Sequence, residues 1–196
     1  MDFIVLCAGL SERFGKENKL LAVYDGLPLC VRSVGAALRA ALALGGKVTV
    51  VTGYQAPEIQ RALTSCFGPQ APLRFVFNDR FASGQFSSVQ AGLGILQGDS
   101  DFYITPGDLP LVTAENYLAL SGLLGNHDAV RPRSESRNMP GHPVLLSSRM
   151  REVILRAHDG TSVRSLLADR DVLPFVTEDR GFFVDIDTPS DLVAEL

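Results

Sequence analysis

The chain has 196 residues, and its 18 lysines and arginines against 22 aspartates and glutamates give a formal net charge of −4 at pH 7. Because a net negative chain has no overall attraction to polyanions, the charge disfavours a nucleic acid or an anionic membrane as its partner. With 46% hydrophobic and 20% charged residues, the composition excludes a disordered chain, and the length fits one well-buried domain.

Strand-like and helical patterns alternate through the first 125 residues. The continuous apolar run at 3–7 is typical of a strand covered on both faces. We predict strands over 3–7, 47–52, 73–77 and 101–104, and helices over 29–44, 57–66, 87–96 and 114–124. Four successive strand–helix units predict a parallel sheet with helices on both faces, in which ligands bind beyond the carboxyl ends of the strands.

The pattern changes after residue 125. We predict strands over 128–131 and 143–146 around a polar loop at 132–142, helices over 148–157 and 161–168, strands over 173–176 and 182–186, and a terminal helix from Pro189. The chain has no linker, internal repeat or low-complexity tract, so we expect one domain over 1–196.

The cysteines and the first residues bear on the compartment. Residues 1–10 carry no basic segment and are not typical of a secretory signal, and the apolar stretch 34–46 is too short to span a bilayer. An odd number of cysteines without a C-x-x-C pair disfavours a disulfide framework or a zinc ribbon: Cys7, Cys30 and Cys66. We therefore expect a cytoplasmic protein with no membrane partner.

The loop after the first strand is small and cationic. Small residues between Ala8 and Gly15 allow backbone N–H groups to approach a phosphate chain, and the loop carries three cations, Arg13, Lys16 and Lys19. It is neither a Walker A loop, because five residues separate Gly9 from Gly15, nor a G-x-G-x-x-G motif. A glycine-containing turn with solvated lysines is the alternative interpretation.

Two acidic segments are candidate metal ligands. Asp108 lies between two prolines just after the fourth strand, so its carboxylate is held rigidly. A rigid carboxylate is a suitable ligand for an Mg²⁺ ion that also binds substrate phosphate. The alternative is that Asp108 caps a turn or the helix that follows. Alternation along the strand predicted at 182–186 puts Asp185 and Asp187 on one face, which implies exposure, a nearby cation, or a cap for the helix at Pro189.

Weaker signals lie elsewhere. Asn78 and the segment 83–88 have the hydrogen-bonding groups to read a base or a ribose, or to cap the helix that follows. His142 stands in a proline-flanked loop, where a lone histidine is more often structural. The absence of H-E-x-x-H and G-x-S-x-G disfavours a zinc hydrolase and an α/β-hydrolase.

Five segments in this order carry a family resemblance. They are L-x-A-G-x-S-x-R-x-G at 6–15, N-K-L-L at 18–21, G-D-x-P at 107–110, G-H-P-V at 141–144 and D-x-D-T-P at 185–189. Together they resemble the MobA-like nucleotidyltransferases, most closely the molybdenum cofactor cytidylyltransferases. Ala8 before Gly9 and the acidic Asp185 and Asp187 are similar to the cytidylyl rather than the guanylyl branch. The resemblance implies a Rossmann-like three-layer α/β/α sandwich with a mostly parallel sheet, like that of the nucleotide-diphospho-sugar transferases.

The resemblance also implies site residues. The catalytic residues would be Arg13, Lys19 and Asp108, and Asp108 and Asp187 would hold Mg²⁺. His142 and Asp187 would bind the acceptor. The nucleotide-binding set would comprise Leu6, Ala8, Gly9, Ser11, Arg13, Lys19, Asn78, Ser88 and Gly107, and Gly92 matches a glycine of the family pattern. Residues 1–125 would form the nucleotide-binding part and 126–196 the acceptor-binding part.

The implied reaction moves CMP from CTP, or another NTP in its place, to the terminal phosphate of a molybdopterin-type acceptor. A molybdenum hydroxylase is a further implied partner. A basic loop would face the acceptor phosphate or be solvated: Arg131, Arg133 and Arg137. The alternatives are transfer to a sugar, polyol or alcohol phosphate, and a non-catalytic carrier of the cofactor. The chain departs from the family pattern at three residues: Cys7, Phe14 and Phe86. We expect Phe86 to shape a substrate pocket.

Overall fold

The computed structural model describes residues 1–15 and 17–194. The strands are β1 (Asp2–Cys7), β2 (Val23–Tyr24), β3 (Leu27–Pro28), β4 (Lys47–Thr52), β5 (Leu73–Phe77), β6 (Phe102–Pro106), β7 (Ala129–Ser134), β8 (Met139–Pro140), β9 (Val144–Leu146) and β10 (Val172–Val176). The α-helices are α1 (Leu29–Leu44), α2 (Ala56–Phe67), α3 (Gln85–Gly94), α4 (Ala114–Ser121), α5 (Met150–Arg156), α6 (Val163–Leu166) and α7 (Pro189–Ala194). Short 3₁₀ turns cover Glu12–Phe14, Lys19–Leu21, Phe81–Ser83 and Arg180–Phe182.

The central sheet has the strand order β10-β7-β9-β6-β1-β4-β5, and β8 pairs with β7 at one side. β1 runs parallel to both β4 and β6, with Ile4 beside Thr49 and Ile104. β9 runs antiparallel to β6 and β7, while β10 is parallel to β7. The carboxyl ends of β1 and β6 therefore lie side by side, and they deliver the two most informative loops of the sequence to one edge of the sheet.

Helices cover both faces of the sheet. On one face, α1, α2 and α4 enclose a core that includes Phe3, Val50 and Tyr103. On the other face, α3 and α5 cover a second core that includes Ile4 and Phe102. The alternate residues of β1 enter opposite cores, as expected of a strand buried on both sides. The predicted three-layer α/β/α arrangement with a mostly parallel sheet is confirmed.

The prediction of a strand at 182–186 is wrong, because the structure has a 3₁₀ turn and irregular backbone there. The carboxylate of Asp179 accepts a hydrogen bond from the backbone N–H of Gly181 (2.9 Å) and starts the 3₁₀ turn Arg180–Phe182. Phe182 and Phe183 are both buried, which is incompatible with the alternation of a half-exposed strand. Asp185 and Asp187 accordingly lie on an irregular segment, although both reach the same cavity.

Other differences concern bounds and short elements. The polar loop predicted at 132–142 is partly a hairpin, because β7 continues to Ser134 and pairs with β8. The predicted helix at 161–168 is only the short α6, and the β2–β3 hairpin between β1 and α1 was not predicted. Within the described residues, no helix combines the length and the apolarity needed to cross a membrane.

Gly92 allows α3 to approach the sheet closely. A methyl group at this position would lie 2.7 Å from Ile4 and 2.9 Å from Val51. Gly92→Ala is therefore expected to lower the free energy of unfolding by about 1–2 kcal/mol, because overpacking outweighs the gain in helix propensity. Urea denaturation measures the change.

Gly94 provides the matched control on the same helix. A methyl group there meets no atom within 4 Å, so Gly94→Ala is expected to raise stability by about 0.5 kcal/mol. Equal effects of the two substitutions would contradict the close approach of α3 to β1 and β4.

Candidate active site

The loop after β1 folds back on itself through Ser11 and Asn18. Ser11 adopts a left-handed conformation (φ 57°), and its hydroxyl donates to Oδ1 of Asn18 (3.2 Å) and accepts from the backbone N–H of Lys19 (3.2 Å). The same Oδ1 accepts from the N–H of Leu20 (3.0 Å) and caps the turn Lys19–Leu21. Phe14 anchors the loop in a small buried cluster with Tyr24, Leu29 and Ile186. Lys16 lies outside the described residues.

Lys19 is the centre of an ion-pair cluster at the carboxyl edge of the sheet. Its Nζ lies 2.5 Å from Oδ2 of Asp108 and 3.0 Å from Oδ1 of Asp187. The second oxygen of Asp187 pairs with Arg13 at 2.9 Å. The side chains of Lys19 and Asp108 are 16% and 14% exposed, whereas that of Arg13 is 70% exposed. The Lys19–Asp108 pair is therefore shielded from water, and Arg13 lies at its rim.

The turn after β6 fixes Asp108. The backbone N–H of Gly107 donates to the carbonyl of Leu6 (2.9 Å), and a methyl group at Gly107 would lie 2.6 Å from Sγ of Cys7. On the other side, the hydroxyl of Ser33 donates to the carbonyl of Leu109 (3.0 Å). Gly107 is thus required for close packing of the turn against β1, which holds the neighbouring carboxylate in place.

Asp187 is held by the start of α7. Asp191 accepts hydrogen bonds from the backbone N–H groups of Asp187 (2.9 Å) and Thr188 (2.7 Å). Asp191, in the first turn of α7, thereby holds the backbone that leads into this helix. The side chain of Asp187 points instead to Lys19 and Arg13, so the nearby-cation interpretation of this acid describes the structure.

The charges of the cluster stabilise one another. Partial burial alone lowers the pKa of Lys19, but Asp108 and then Asp187 more than offset this effect, and the net pKa is raised. The pKa of Asp185 is also raised, by partial burial first and then by the negative charges of Asp108 and Asp187. Lys19 is consequently fully charged at pH 7 and compensates acids that would otherwise repel each other.

A cleft of about 640 Å³ opens beside the cluster. Its floor is the end of β1 and the following loop, and its far wall is the turn before α3 with the first residues of that helix. Residues selected from the sequence line it, namely Leu6, Ala8, Gly9, Ser11, Arg13, Lys19, Ser88, Asp108 and Asp187. Gly84 and Gln85, from the segment 83–88 proposed to read a base or a ribose, also line it. Six further residues line it that were not assigned to the site: Leu10, Glu12, Leu20, Phe81, Ala82 and Pro106.

A second cavity of about 380 Å³ adjoins the cleft. Its walls come from the later part of the chain and comprise Leu109, Met139, Pro140, Gly141, His142, Phe182, Phe183 and Asp185. Six residues line both the cleft and the second cavity: Arg13, Lys19, Gln85, Pro106, Asp108 and Asp187. The ion-pair cluster therefore lies between two adjoining binding spaces.

Asn78 and Gly107 do not line the cleft. Asn78 is 3% exposed, and its amide donates to the hydroxyls of Ser87 (2.9 Å) and Ser88 (3.0 Å), while its carbonyl oxygen accepts from the N–H of Arg80. Asn78 thus supports the cleft residue Ser88 from behind. Phe86, which was expected to shape a substrate pocket, is also buried, in the α3 core, and does not line the cleft, whereas its neighbour Gln85 does.

The three arginines of the predicted basic loop have different surroundings. Arg133 donates to Asn138 (3.1 Å), and both it and Arg137 are exposed. Arg131 is half-buried, and its Nε has no hydrogen-bond partner among the described residues. Burial first, and then the charge of Arg131, lowers the pKa of His142 to about 4, so this ring is neutral at pH 7.

The acids of the cluster fit a divalent cation. Oδ1 of Asp108 is buried and, within the described residues, has no hydrogen-bond partner, so one carboxylate oxygen is available. Asp187 contacts the same ammonium group as Asp108, so the two carboxylates are close enough to serve one small cation. The described residues contain no group of three or more protein ligands, and Mg²⁺ is commonly held by one or two carboxylates together with substrate phosphate.

Comparisons with known proteins show which proteins this chain resembles. The sequence profile described as the MobA-like NTP transferase domain matches residues 3–173. The molybdenum cofactor cytidylyltransferase of Escherichia coli (strain K12) is 28% identical over 193 residues, which cover 98% of this chain and 94% of that protein.

Two solved structures share the fold. A nucleotidyl transferase from Methanothermobacter thermautotroptrophicus has a TM-score of 0.80 at 22% identity, covering 99% of this chain and 94% of that one. The 4-diphosphocytidyl-2C-methyl-D-erythritol synthase of Anaerococcus prevotii has a TM-score of 0.77 at 15% identity, covering 98% and 94%. The predicted similarity to the nucleotide-diphospho-sugar transferase fold is confirmed.

Proposed function

The chain belongs to the MobA-like NTP transferase family and is a nucleotidyltransferase, and we propose that it transfers CMP from CTP to the terminal phosphate of molybdopterin. The near full-length similarity to a molybdenum cofactor cytidylyltransferase supports this substrate pair. A transferase family leaves no reason to retain the non-catalytic carrier as an alternative. A molybdenum hydroxylase partner has no support in the comparisons.

The observation that carries the proposal is the position of Lys19 between the two cavities. The cleft and the second cavity share Lys19, Asp108 and Asp187, so ligands in the two spaces would meet at this cluster. A group-transfer enzyme needs such an arrangement, because its two substrates must be brought into contact at one point. We propose that residues 1–125 supply most of the nucleotide side and that 126–196 complete the acceptor side.

On the nucleotide side, the backbone from Ala8 to Ser11 would hold the triphosphate, with Arg13 and Lys19 as its cations. Lys19 is shielded and therefore suited to the α-phosphate, where charge develops during transfer. Arg13 is largely exposed and suited to the outer phosphates. Ser88, held by Asn78, lines the cleft but not the second cavity, and we place the base or the ribose beside it.

In the transfer step, a terminal phosphate oxygen of the acceptor forms a bond to the α-phosphorus of CTP. The bond between the α-phosphorus and the bridging oxygen to the β-phosphate breaks, and pyrophosphate leaves. The attacking phosphate is already ionised at pH 7, so no side chain has to remove a proton, and His142 is neutral there. The protein's contribution is therefore positioning and charge compensation by Lys19 and Arg13.

Asp108 and Asp187 would hold Mg²⁺. When bound, Mg²⁺ would neutralise charge on the phosphates. Both acids already compensate Lys19, and this pairing keeps the ammonium group at the junction of the cavities before substrates bind.

On the acceptor side, the second cavity would receive the anionic end of the acceptor. His142 and Asp187 line this cavity. Arg131 does not line the cavity itself but lies close enough to His142 to lower its pKa, and within the described residues its Nε has no hydrogen-bond partner. An anion bound beside His142 would be attracted by this positive charge, which supports a phosphate-bearing acceptor.

Titration calorimetry in the presence of Mg²⁺ tests the nucleotide assignment. We expect CTP to bind at least about tenfold more tightly than GTP or UTP, because a site that hydrogen-bonds one base leaves polar groups unpaired with another. Pyrophosphate release should then require both CTP and molybdopterin. The control acceptors are a sugar phosphate and a polyol phosphate.

Two outcomes would contradict the proposal. Tight GTP binding without CTP binding would remove the cytidylyl assignment. Pyrophosphate release with a sugar or polyol phosphate, but not with molybdopterin, would retain the transferase and replace its acceptor.

A further inference from the structure

Four hydrogen-bond donors, one at the end of β7 and three in the turn between β7 and β8 (residues 135–138), converge on one carboxylate, that of Glu178. Its Oε2 accepts from the hydroxyls of Ser134 (2.8 Å) and Ser136 (2.6 Å). Its Oε1 accepts from the backbone N–H groups of Glu135 (3.1 Å) and Ser136 (3.2 Å). Glu178 follows β10 and is distant from this turn along the chain, so these bonds join two separate segments.

The four bonds require a charged group with two acceptor oxygens. Those from Ser136 and Ser134, together with the backbone N–H groups, lower the pKa of Glu178 to about 2. The carboxylate is therefore ionised throughout the range in which an enzyme is assayed. Hydrogen bonds to an ionised acceptor are shorter and stronger than those between neutral groups.

The neighbouring acid, Asp179, fixes the other end of the same segment. Its Oδ1 accepts from the N–H of Gly181 (2.9 Å) and its Oδ2 from the amide of Asn116 (2.8 Å). Asn116 is buried at the start of α4 and takes part in its capping box. Two adjacent carboxylates thus connect the β7–β8 turn to a rigid helix end.

The segments joined in this way lead into two parts of the wall of the second cavity. The turn leads directly into Met139–His142, and Asp179 leads into Phe182 and Phe183. The walls also meet each other, because the N–H of His142 donates to the carbonyl of Phe182 (2.8 Å). A methyl group at Gly141 would lie 2.6 Å from that carbonyl oxygen, so the fit is close.

We propose that Glu178 is a positioning residue for the acceptor: it holds the β7–β8 turn, and through it the 139–142 wall of the second cavity, in the place that the acceptor requires. This inference rests on the proposed function in taking the second cavity as the acceptor site. Glu178 itself does not line either cavity.

Glu178 is suited to local ordering rather than to global stability. The side chain is at the surface, where ionic contacts add little to the free energy of unfolding. Three of its four donors lie on the exposed turn, and the fourth is the hydroxyl of the buried Ser134 at the end of β7, so the loss of the carboxylate should raise local opening of the turn while the core remains folded. A small displacement of a substrate-contacting wall is nevertheless costly for binding and transfer.

The experiment compares Glu178→Ala with Glu135→Ala. Glu135 lies in the same turn, and the structure gives its side chain no hydrogen bond or ion pair within the described residues, so this variant controls for the lost charge. Two quantities are measured on the full chain. The first is hydrogen exchange of the backbone amides of Glu135, Ser136, Met139, Gly141 and His142. The second is the change in the KM for the acceptor compared with the change in the Kd for CTP.

In Glu178→Ala we expect amide exchange in these residues to rise at least about tenfold. The KM for the acceptor should rise about tenfold, with the Kd for CTP unchanged within about twofold. Glu135→Ala should leave both quantities at wild-type values. Glu178→Gln should lie between wild type and Glu178→Ala, because one acceptor oxygen remains.

Exchange in Glu178→Ala equal to that of wild type would overturn the inference. So would a Kd for CTP that rises as much as the KM for the acceptor, since that pattern indicates general disruption of the site. If the wild-type enzyme releases no pyrophosphate with molybdopterin, the proposed acceptor fails. The exchange comparison then decides the role of Glu178 by itself, because it needs no acceptor.

Discussion

Replacing Lys19 by methionine is expected to lower the rate of CMP transfer by about 10²-fold or more, the usual effect of losing one transition-state contact in a shielded site. Lys19 is the only residue whose charged group contacts both Asp108 and Asp187 among the described residues, and it borders both cavities. Without it, the α-phosphate loses the compensating charge of the ammonium group, and so do the two acids. Initial rates of pyrophosphate release at saturating CTP measure the loss.

Lys47→Met is the matched control for this substitution. Lys47 is exposed at the start of β4, at the opposite end of the strand from the cleft, and should retain wild-type turnover. Lys19→Arg keeps the charge but not the compact ammonium that contacts two carboxylates at once, so an intermediate rate is expected. Turnover of Lys19→Met within about threefold of wild type would remove Lys19 from the catalytic assignment.

Much of the fold follows from local chemistry. β4, β5 and α1 occupy the residues predicted for them, because β-branched and aromatic residues favour the two strands and α1 ends at Gly45. The segment 182–186 could not be predicted in the same way. Its conformation depends on Asp179, on Asn116 and on the burial of two adjacent phenylalanines, which are tertiary facts that alternation does not encode.

The candidate active site could be predicted only in part from the sequence, for a similar reason. Short motifs selected Lys19, Asp108 and Asp187, and the structure brings these three together. The sequence did not indicate that they pair, because residues 19, 108 and 187 are far apart along the chain.

Supporting residues were harder to recognise. Asn78 was selected as a nucleotide contact for its hydrogen-bonding groups, yet the structure uses those groups on Ser87, Ser88 and Arg80. Glu178 was not selected at all, although four donors converge on it. No spacing rule connects an exposed glutamate to a turn some forty residues earlier, so only the tertiary structure identifies it.

Asp108→Asn is the second substitution with a large expected effect. Asparagine keeps the size of the side chain but removes the charge that pairs with Lys19 and the carboxylate proposed to hold Mg²⁺. We expect the rate of CMP transfer to fall by about 10²-fold or more and the Mg²⁺ concentration for half-maximal rate to rise. Rates measured across a Mg²⁺ titration give both quantities.

The matched control is Asp99→Asn, which removes one charge from an exposed loop before β6 and should leave both quantities unchanged. The substitution at Asp108 should also leave the fold intact, because the turn is held by the Gly107–Leu6 and Ser33–Leu109 hydrogen bonds, which do not involve its side chain. A fall in rate with an unaltered Mg²⁺ dependence would separate the two roles of this acid: it would keep Asp108 as the partner of Lys19 and reject it as a metal ligand.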